Sequence, residues 1–365
     1  MSAAGPSQGR PRERGEAQAR RARPRAWVPA DTSLHRIGTM FASAEANSSL
    51  SEGRRDSAKG APINVRLSVV IPTLDRPGQL RACLDALARD YPADAETIVV
   101  ADGGEIDLAP VVAPFVEPLR LSLLRIDHAG PSAARNRGLA AAHGKIVAFT
   151  DDDCRPQPGW LAAIASGVEV SPPRAVGGTT LNGLPGDAYA DAMQLVLNLL
   201  SRYDRAKTRT ERFLPSNNFA FPTVPLRALG GFDERFRTAE DRELCRRWAA
   251  AGHALARAPE AVVEHDPQLD LIGFVRRFFA YGRGAARFHG TGANPGLRES
   301  VRFHLRLPVL VLPELRRRGL LRAIAIVALL GLWEAANVVG FFAEALRRRE
   351  SARAAAESRR PAGVR

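Results

Sequence analysis

The sequence is short of cysteine and shorter still of lysine. Its three cysteines in 365 residues, Cys83, Cys154 and Cys245, stand far apart without C-x-x-C spacing. That excludes a disulfide framework and a zinc cluster as organising devices, and it fits a reducing cytoplasm. Lysine is confined to Lys59, Lys145 and Lys207, so the 52 basic residues are nearly all arginine. Against 39 acidic residues they leave a formal charge of +13. The excess gathers at the two ends of the chain, which suits an anionic membrane surface better than nucleic acid, and no nucleic-acid partner is expected. There is no internal repeat, no apolar centre of a secretory signal, and no span of the usual roughly 20 residues free of polar groups.

What is present has the texture of a globular chain. An apolar content of 45% over this length supports one large or two modest domains, at roughly 150 residues per domain. Residues 1–62 carry Arg, Ala, Ser, Gly and Pro without an apolar period, including Arg20, Arg21, Arg23 and Arg25. Such a segment buries too little surface to offset its ordering entropy, so a disordered arm is expected, with Met40 as an alternative start. From Leu67 onward, short apolar runs (Leu67 to Ile71, Thr97 to Ala101, Leu119 to Ile126, Lys145 to Thr150) alternate with helical spacing at Leu80, Leu84, Leu87 and at Ala133 to Ala142. This alternation predicts an α/β domain over 63–266 with helices flanking its sheet.

Beyond it, a basic and aromatic helical region is expected over 267–304, where Arg276, Arg277, Arg283 and Arg287 mix with Phe278, Phe279 and Tyr281. An apolar helical segment follows over 305–349, with Ala323 to Trp333 uninterrupted, then a disordered tail over 350–365. Arg316, Arg317, Arg318 and Arg322 precede the apolar stretch and Arg347, Arg348 and Arg349 follow it, as headgroup anchors would. Membrane contact is the expectation, by a marginal span or a helix lying in the interface; a helical hairpin buried in the protein's own core competes with it.

In open α/β sheets ligands sit beyond the carboxyl ends of the strands, and here those ends turn polar. The first runs into Pro72-Thr73-Leu74-Asp75-Arg76-Pro77 and the second into Asp102-Gly103-Gly104. A hydroxyl and a carboxylate on neighbouring tips can bond a base or ribose, although ordinary turns have the same composition. The fourth run ends in Asp151-Asp152-Asp153, three like charges whose repulsion calls for a cation or hydrogen-bond donors. In extended chain Asp151 and Asp153 share one side and Asp152 takes the other. Oxygen ligands of this kind suit Mg or Mn bridging a diphosphate, whereas a helix cap needs one carboxylate, not three. Further on, Glu240-Asp241 opens a helix whose Leu244 and Trp248 point to the core, and the positive helix end is expected to keep a carboxylate ionised there. Asn217 and Asn218 suit either sugar hydroxyls or a polar turn.

Ile71-Pro72-Thr73, Asp102-Gly103, Gly130-Pro131-Ser132-Ala133-Ala134-Arg135-Asn136-Arg137-Gly138, the triple Asp with Pro156, Pro158 and Trp160, and Gly231-Phe232-Asp233-Glu234 before Glu240-Asp241 resemble a family 2 glycosyltransferase of the GT-A fold over residues 66 to 266. The resemblance implies a Rossmann-like mixed sheet flanked by helices and a metal-dependent, inverting transfer of sugar from a nucleotide-sugar donor to a glycan or lipid-linked acceptor. Cell-envelope polysaccharide synthesis at the cytoplasmic face of the membrane is the implied setting. Pro72, Thr73, Arg76 and Asp102 would line the donor's base side, Arg135 its nucleotide end, Asp151 and Asp152 the ribose or sugar, and Asp153 with His265 the Mg or Mn ion. Asp241 would be the general base and Glu240 its neighbour. Two departures from the pattern, Asp75-Arg76 and Ala101, fall on the base contacts. A silent GT-A scaffold at the membrane is the rival function; a nucleotidyltransferase would need a Gly-rich basic loop that Leu74 to Leu80 does not provide.

Overall fold

The computed structural model describes residues 65–169, 172, 174–208, 211–291, 297–316 and 318–358; the arm expected over 1–62 lies outside them. Eight strands form one sheet: β1 (Leu67–Thr73), β2 (Ala95–Asp102), β3 (Leu121–Ile126), β4 (Ile146–Thr150), β5 (Cys154–Pro156), β6 (Ala175–Asn182), β7 (Asn218–Pro222) and β8 (Leu255–His265), in the order β3-β2-β1-β4-β7-β6-β8-β5. The first four are parallel, whereas β7 runs antiparallel to β4 and to β6. β1, β4 and β7 are buried along their whole length, as expected of apolar runs covered on both faces. Pro72 is tolerated in a central strand because β1 pairs with β4 only from Leu67 to Val70, so its missing N–H falls beyond that ladder.

Side chains alternate between two cores. Val69, Ile71 and Val99 pack under helices α1 (Pro77–Leu87) and, through Trp160 and Ile164, α3 (Trp160–Val168). Val70, Val100, Phe149, Phe219 and Phe221 meet helices α2 (Pro131–Ala141) and α5 (Glu240–Ala250), the latter through Leu244 and Trp248. Each such side chain contributes roughly 1.5–3 kcal/mol, enough to hold the strand tips at fixed heights. Trp248 is core, as its helical spacing indicates.

A third core joins α4 (Ala188–Thr208) to three C-terminal helices, α6 (Leu271–His289), α7 (Leu297–Leu315) and α8 (Leu320–Ser358), through Leu195, Phe274, Phe278, Phe303, Ile326 and Trp333. Gly282 and Gly340 allow α6 and α8 to touch, because a Cβ on either would collide with the backbone of Asn337 or Phe279. α7 begins earlier than the apolar stretch, and α8 runs on past 349 to Ser358, so the helix continues into what its charges suggested was tail. This segment has a packed face and an exposed one. Ile326, Leu330 and Trp333 are buried in the protein's own core, while Leu320, Leu321, Val339 and Phe342 are exposed. Among the described residues one helix, over Leu320–Arg353, is by length and composition apolar enough to cross a membrane; its most apolar 18 residues have a mean hydropathy of 1.9 and 28% of them are buried.

Candidate active site

The tips of β1 and β2 are tied together before any ligand is considered. Asp75, at φ 48°, accepts hydrogen bonds from the backbone N–H groups of Glu105 (3.2 Å) and Ile106 (3.0 Å). A short carboxylate tolerates that left-handed conformation and uses it to brace the neighbouring loop. Asp102 is likewise engaged: its carboxylate accepts from Ala129 N (2.7 Å) and Gly130 N (2.9 Å), at the turn that starts α2. Gly130 there has φ 99°, and Pro131 follows at the first helical position.

The three aspartates do not continue the strand. The chain turns at Asp152 and Asp153, which corrects the extended-chain pairing of Asp151 with Asp153. It is Asp152 and Asp153 that share a partner, the Arg76 guanidinium, at 2.5 and 3.1 Å, while Asp151 turns toward Arg135. Thr73 Oγ1 also donates to Asp152 (2.7 Å). Burial lifts the Asp152 carboxyl to about 7 despite Arg76. Asp153, equally enclosed, is held below the ordinary carboxylate range, because His265, Arg76 and Arg277 outweigh the cost of burial.

β5 pairs with β8 so that Cys154 lies opposite His265, and the Asp266 N–H donates to the Asp153 carbonyl at 2.8 Å. This register brings His265 Nε2 to 3.5 Å from an Asp153 carboxylate oxygen. The ligand atoms of Asp153, Cys154 and His265 all lie within 4.8 Å of one another. Burial drives the Cys154 thiol well above its ordinary value, so a carboxylate oxygen and an imidazole nitrogen are the ready donors. A carboxylate is a hard donor and a neutral imidazole a borderline one, a pair that a divalent cation can use.

The decisive contact joins two distant motifs. Arg135, 3% exposed, donates from one nitrogen to Asp151 (2.6 Å) and from the other to Glu240 (2.9 Å). Burial opposes its charge, but Asp151, Glu240 and Asp241 raise its pKa above the free-arginine value. The stretch around Arg135 is built for this contact. Asn136 exchanges two bonds with Phe232, donating to its carbonyl (2.9 Å) and accepting from its N–H (2.8 Å), and Ser132 donates to the Phe236 carbonyl (2.6 Å). Gly231, at φ 64°, packs where a side chain would strike Asn136. The chain between Phe232 and Ala239 is thereby fixed on α2, and α5 starts in place.

Glu240 and Asp241 open α5 as the pattern predicted, but burial there works against the ionised form that a helix start favours. Burial raises Glu240 to about 7, helped by the neighbouring Asp241, and burial also raises Asp241 against Arg242. Desolvation outweighs the helix dipole here. Asp241 accepts from the N–H groups of Arg242 (2.8 Å) and Ser216 (3.4 Å), and Ser216 Oγ lies 3.5 Å from Glu240. Sequence reasoning missed Ser216; its one signal is a polar residue shortly before the apolar β7. Asn218 is not available to a sugar: it is fully buried, accepting from Trp160 Nε1 (2.8 Å) and donating to the carbonyls of Thr179 and Ala261. A cleft lined by Gly78, Gln79, Asp152, Asp153, Arg155 and Asp266 opens beside α1; Glu240 and Asp241 do not line it, and Glu240 connects to Asp151 through Arg135.

With this geometry in hand, known proteins give a fold and a set of similar chains. Residues 68–227 match the glycosyl transferase family 2 model. The pre-mycofactocin glycosyltransferase of Mycobacterium tuberculosis is 31% identical over 234 residues, covering 62% of this chain and 48% of its own. The chain thus spans about half that relative's length. Succinoglycan biosynthesis protein ExoA of Rhizobium meliloti is 28% identical over 76% of this chain and 82% of its own. A mannosyltransferase from Pyrobaculum calidifontis, solved with GDP-Man and Mn2+, superposes with a TM-score of 0.56 over 84% of this chain and 94% of its own, at 20% identity. The domain has the GT-A fold that its motifs resemble.

Proposed function

We propose that this protein transfers a sugar from a nucleotide-diphosphate sugar to a hydroxyl of a glycan or lipid-linked acceptor, with inversion at the anomeric carbon and with Mg or Mn bound. The observation that carries the reading is the Arg135 bridge, one buried guanidinium joining the acidic tip of β4 to the carboxylate pair that opens α5. A silent scaffold has no need of such a convergence, whose enclosed carboxylates cost stability.

Pro72, Thr73, Arg76 and Asp102 line the donor's base side, and Asp151 and Asp152 face its ribose or sugar. Asp153 and His265 would hold the cation, which when bound would offset the charge of the departing diphosphate. Asp241 accepts the proton of the acceptor hydroxyl, whose oxygen bonds to the anomeric carbon on the face opposite the diphosphate; the carbon–oxygen bond to the diphosphate breaks and its electron pair leaves with the phosphate oxygen. A base lifted above the ordinary aspartate range is better matched to a near-neutral working pH. Glu240 orients this arrangement through Arg135 and Ser216.

The relatives' names support sugar transfer, and the Pyrobaculum complex supports a nucleotide-sugar donor with a divalent ion. The exposed leucines of α7 and α8, flanked by arginines, support membrane contact; the seat proposed is the cytoplasmic face, and the role envelope polysaccharide synthesis, for which the succinoglycan-biosynthesis name of the Rhizobium relative speaks. The test is a screen of nucleotide sugars for Mn-dependent release of nucleoside diphosphate. One donor class should respond, with the signal lost on chelation and in Asp153→Asn; release that survives chelation would contradict the metal assignment.

A further inference from the structure

Arginines along α6 have unequal fates. Arg283 and Arg287 end on the buried Glu344, at 2.9 and 2.7 Å, and Arg276 is exposed. Arg277 is half-buried, and among the described residues its one hydrogen bond runs to the Met193 sulfur at 3.9 Å. No carboxylate pairs with it among those residues. A thioether is a weak acceptor, and a guanidinium carries five donors whose loss of water is costly unless oxygen replaces it.

The helix that holds Arg277 is fixed against the site. Thr238, which precedes the Glu240-Asp241 pair, donates to the Ala280 carbonyl at 2.8 Å, and Gly284 leaves room for this contact because a Cβ there would strike Thr238. Arg277 and Tyr281, four residues apart, share one face of α6. Arg277 is near enough to Asp153 to help hold that carboxyl down, and Tyr281 feels Arg277 as well as Asp241, Glu240 and Asp151. Arg277 therefore lies within electrostatic reach of Asp153, and Tyr281 within reach of Asp241, Glu240 and Asp151.

We propose that Arg277 binds a phosphate oxygen of a diphosphate at this site. The inference rests on the sugar-transfer reading above and adds a residue that lies outside the 68–227 match. The diphosphate is either the donor's or that of a lipid-linked acceptor. If it is the donor's, Arg277 shares with the cation the charge that develops on the phosphate oxygen as its bond to the anomeric carbon breaks, while the acceptor's proton passes to Asp241.

The experiment uses the full chain, with calorimetric titration of nucleoside diphosphate plus Mn2+, of the matching nucleoside monophosphate, and of a short isoprenyl diphosphate. In Arg277→Gln, and in Arg277→Met, which suits the apolar side of its pocket, diphosphate affinity should fall at least tenfold while monophosphate affinity holds; Arg277→Lys should restore part of the loss. A drop confined to the nucleoside diphosphate assigns the donor, and one confined to the isoprenyl diphosphate assigns the acceptor. Unchanged affinity for both, in variants whose circular dichroism melts match the parent, overturns the proposal while leaving sugar transfer standing. A parent protein that binds neither diphosphate overturns both.

Discussion

The strand tips with the start of α5, and the C-terminal helices, handle burial in opposite ways. At the former, enclosed carboxylates meet cations from other elements: Asp151 and Glu240 on Arg135, Asp152 and Asp153 on Arg76, Asp153 also beside His265. In α6–α8 the buried charge centres on Glu344 and its arginines, and apolar surface is in excess, with Leu305 76%, Leu320 77% and Leu321 85% exposed. The first region is charge held in fixed geometry at a cost, as an active site requires. The second is apolar surface that its own fold leaves uncovered.

The largest expected effect breaks the first region chemically. Asp241→Asn should lower kcat by about 10²–10⁴-fold, the usual worth of a general base, with donor affinity nearly unchanged; steady-state kinetics on the donor found by the screen checks it. Next, Arg135→Met removes one cation from two carboxylates and should cost about 3–5 kcal/mol of stability in urea unfolding. Glu344→Gln, which strands arginines that are partly solvated, should cost less, and an equal loss would erase the contrast between the regions.

A third effect concerns pH. Glu240 and Asp152, at about 7 in the folded chain, bind protons more tightly there than when unfolded. The folded state therefore holds more protons between the ordinary carboxylate range and pH 7, and their contribution to stability declines as pH rises through that window. Thermal melts of metal-free protein from pH 5 to 7 should show this decline, shallower in Glu240→Gln. The smallest effect sharpens the other side of the comparison: Leu320→Ser with Leu321→Ser should shift folding stability by no more than about 0.5 kcal/mol per site, yet clearly weaken sedimentation with anionic vesicles.

How much of this was legible in the sequence differs along the same line. The buried runs of β1, β2 and β4 and the helical spacing of α5 report local burial, so the sheet and both acidic motifs could be found. Which charge meets which could not. Arg76 reaches Asp152 and Asp153 only because the chain turns there, and Asn218 is spent on Trp160 because β7 lies inside the sheet. The ionisation of Glu240 was misjudged because a helix start is a local signal, whereas desolvation sums over elements far apart in the chain. For α8 the apolar count was visible, but the division into a packed face and an exposed one depends on where α6 docks.

The central claim is that Asp241 takes the acceptor's proton opposite a metal-held diphosphate. Single-turnover release of nucleoside diphosphate, followed with and without acceptor in the parent and in Asp241→Asn, addresses it most directly. The account predicts that the variant loads donor and Mn2+ as tightly as the parent and loses the acceptor-dependent burst. A burst of parental rate in Asp241→Asn would contradict it.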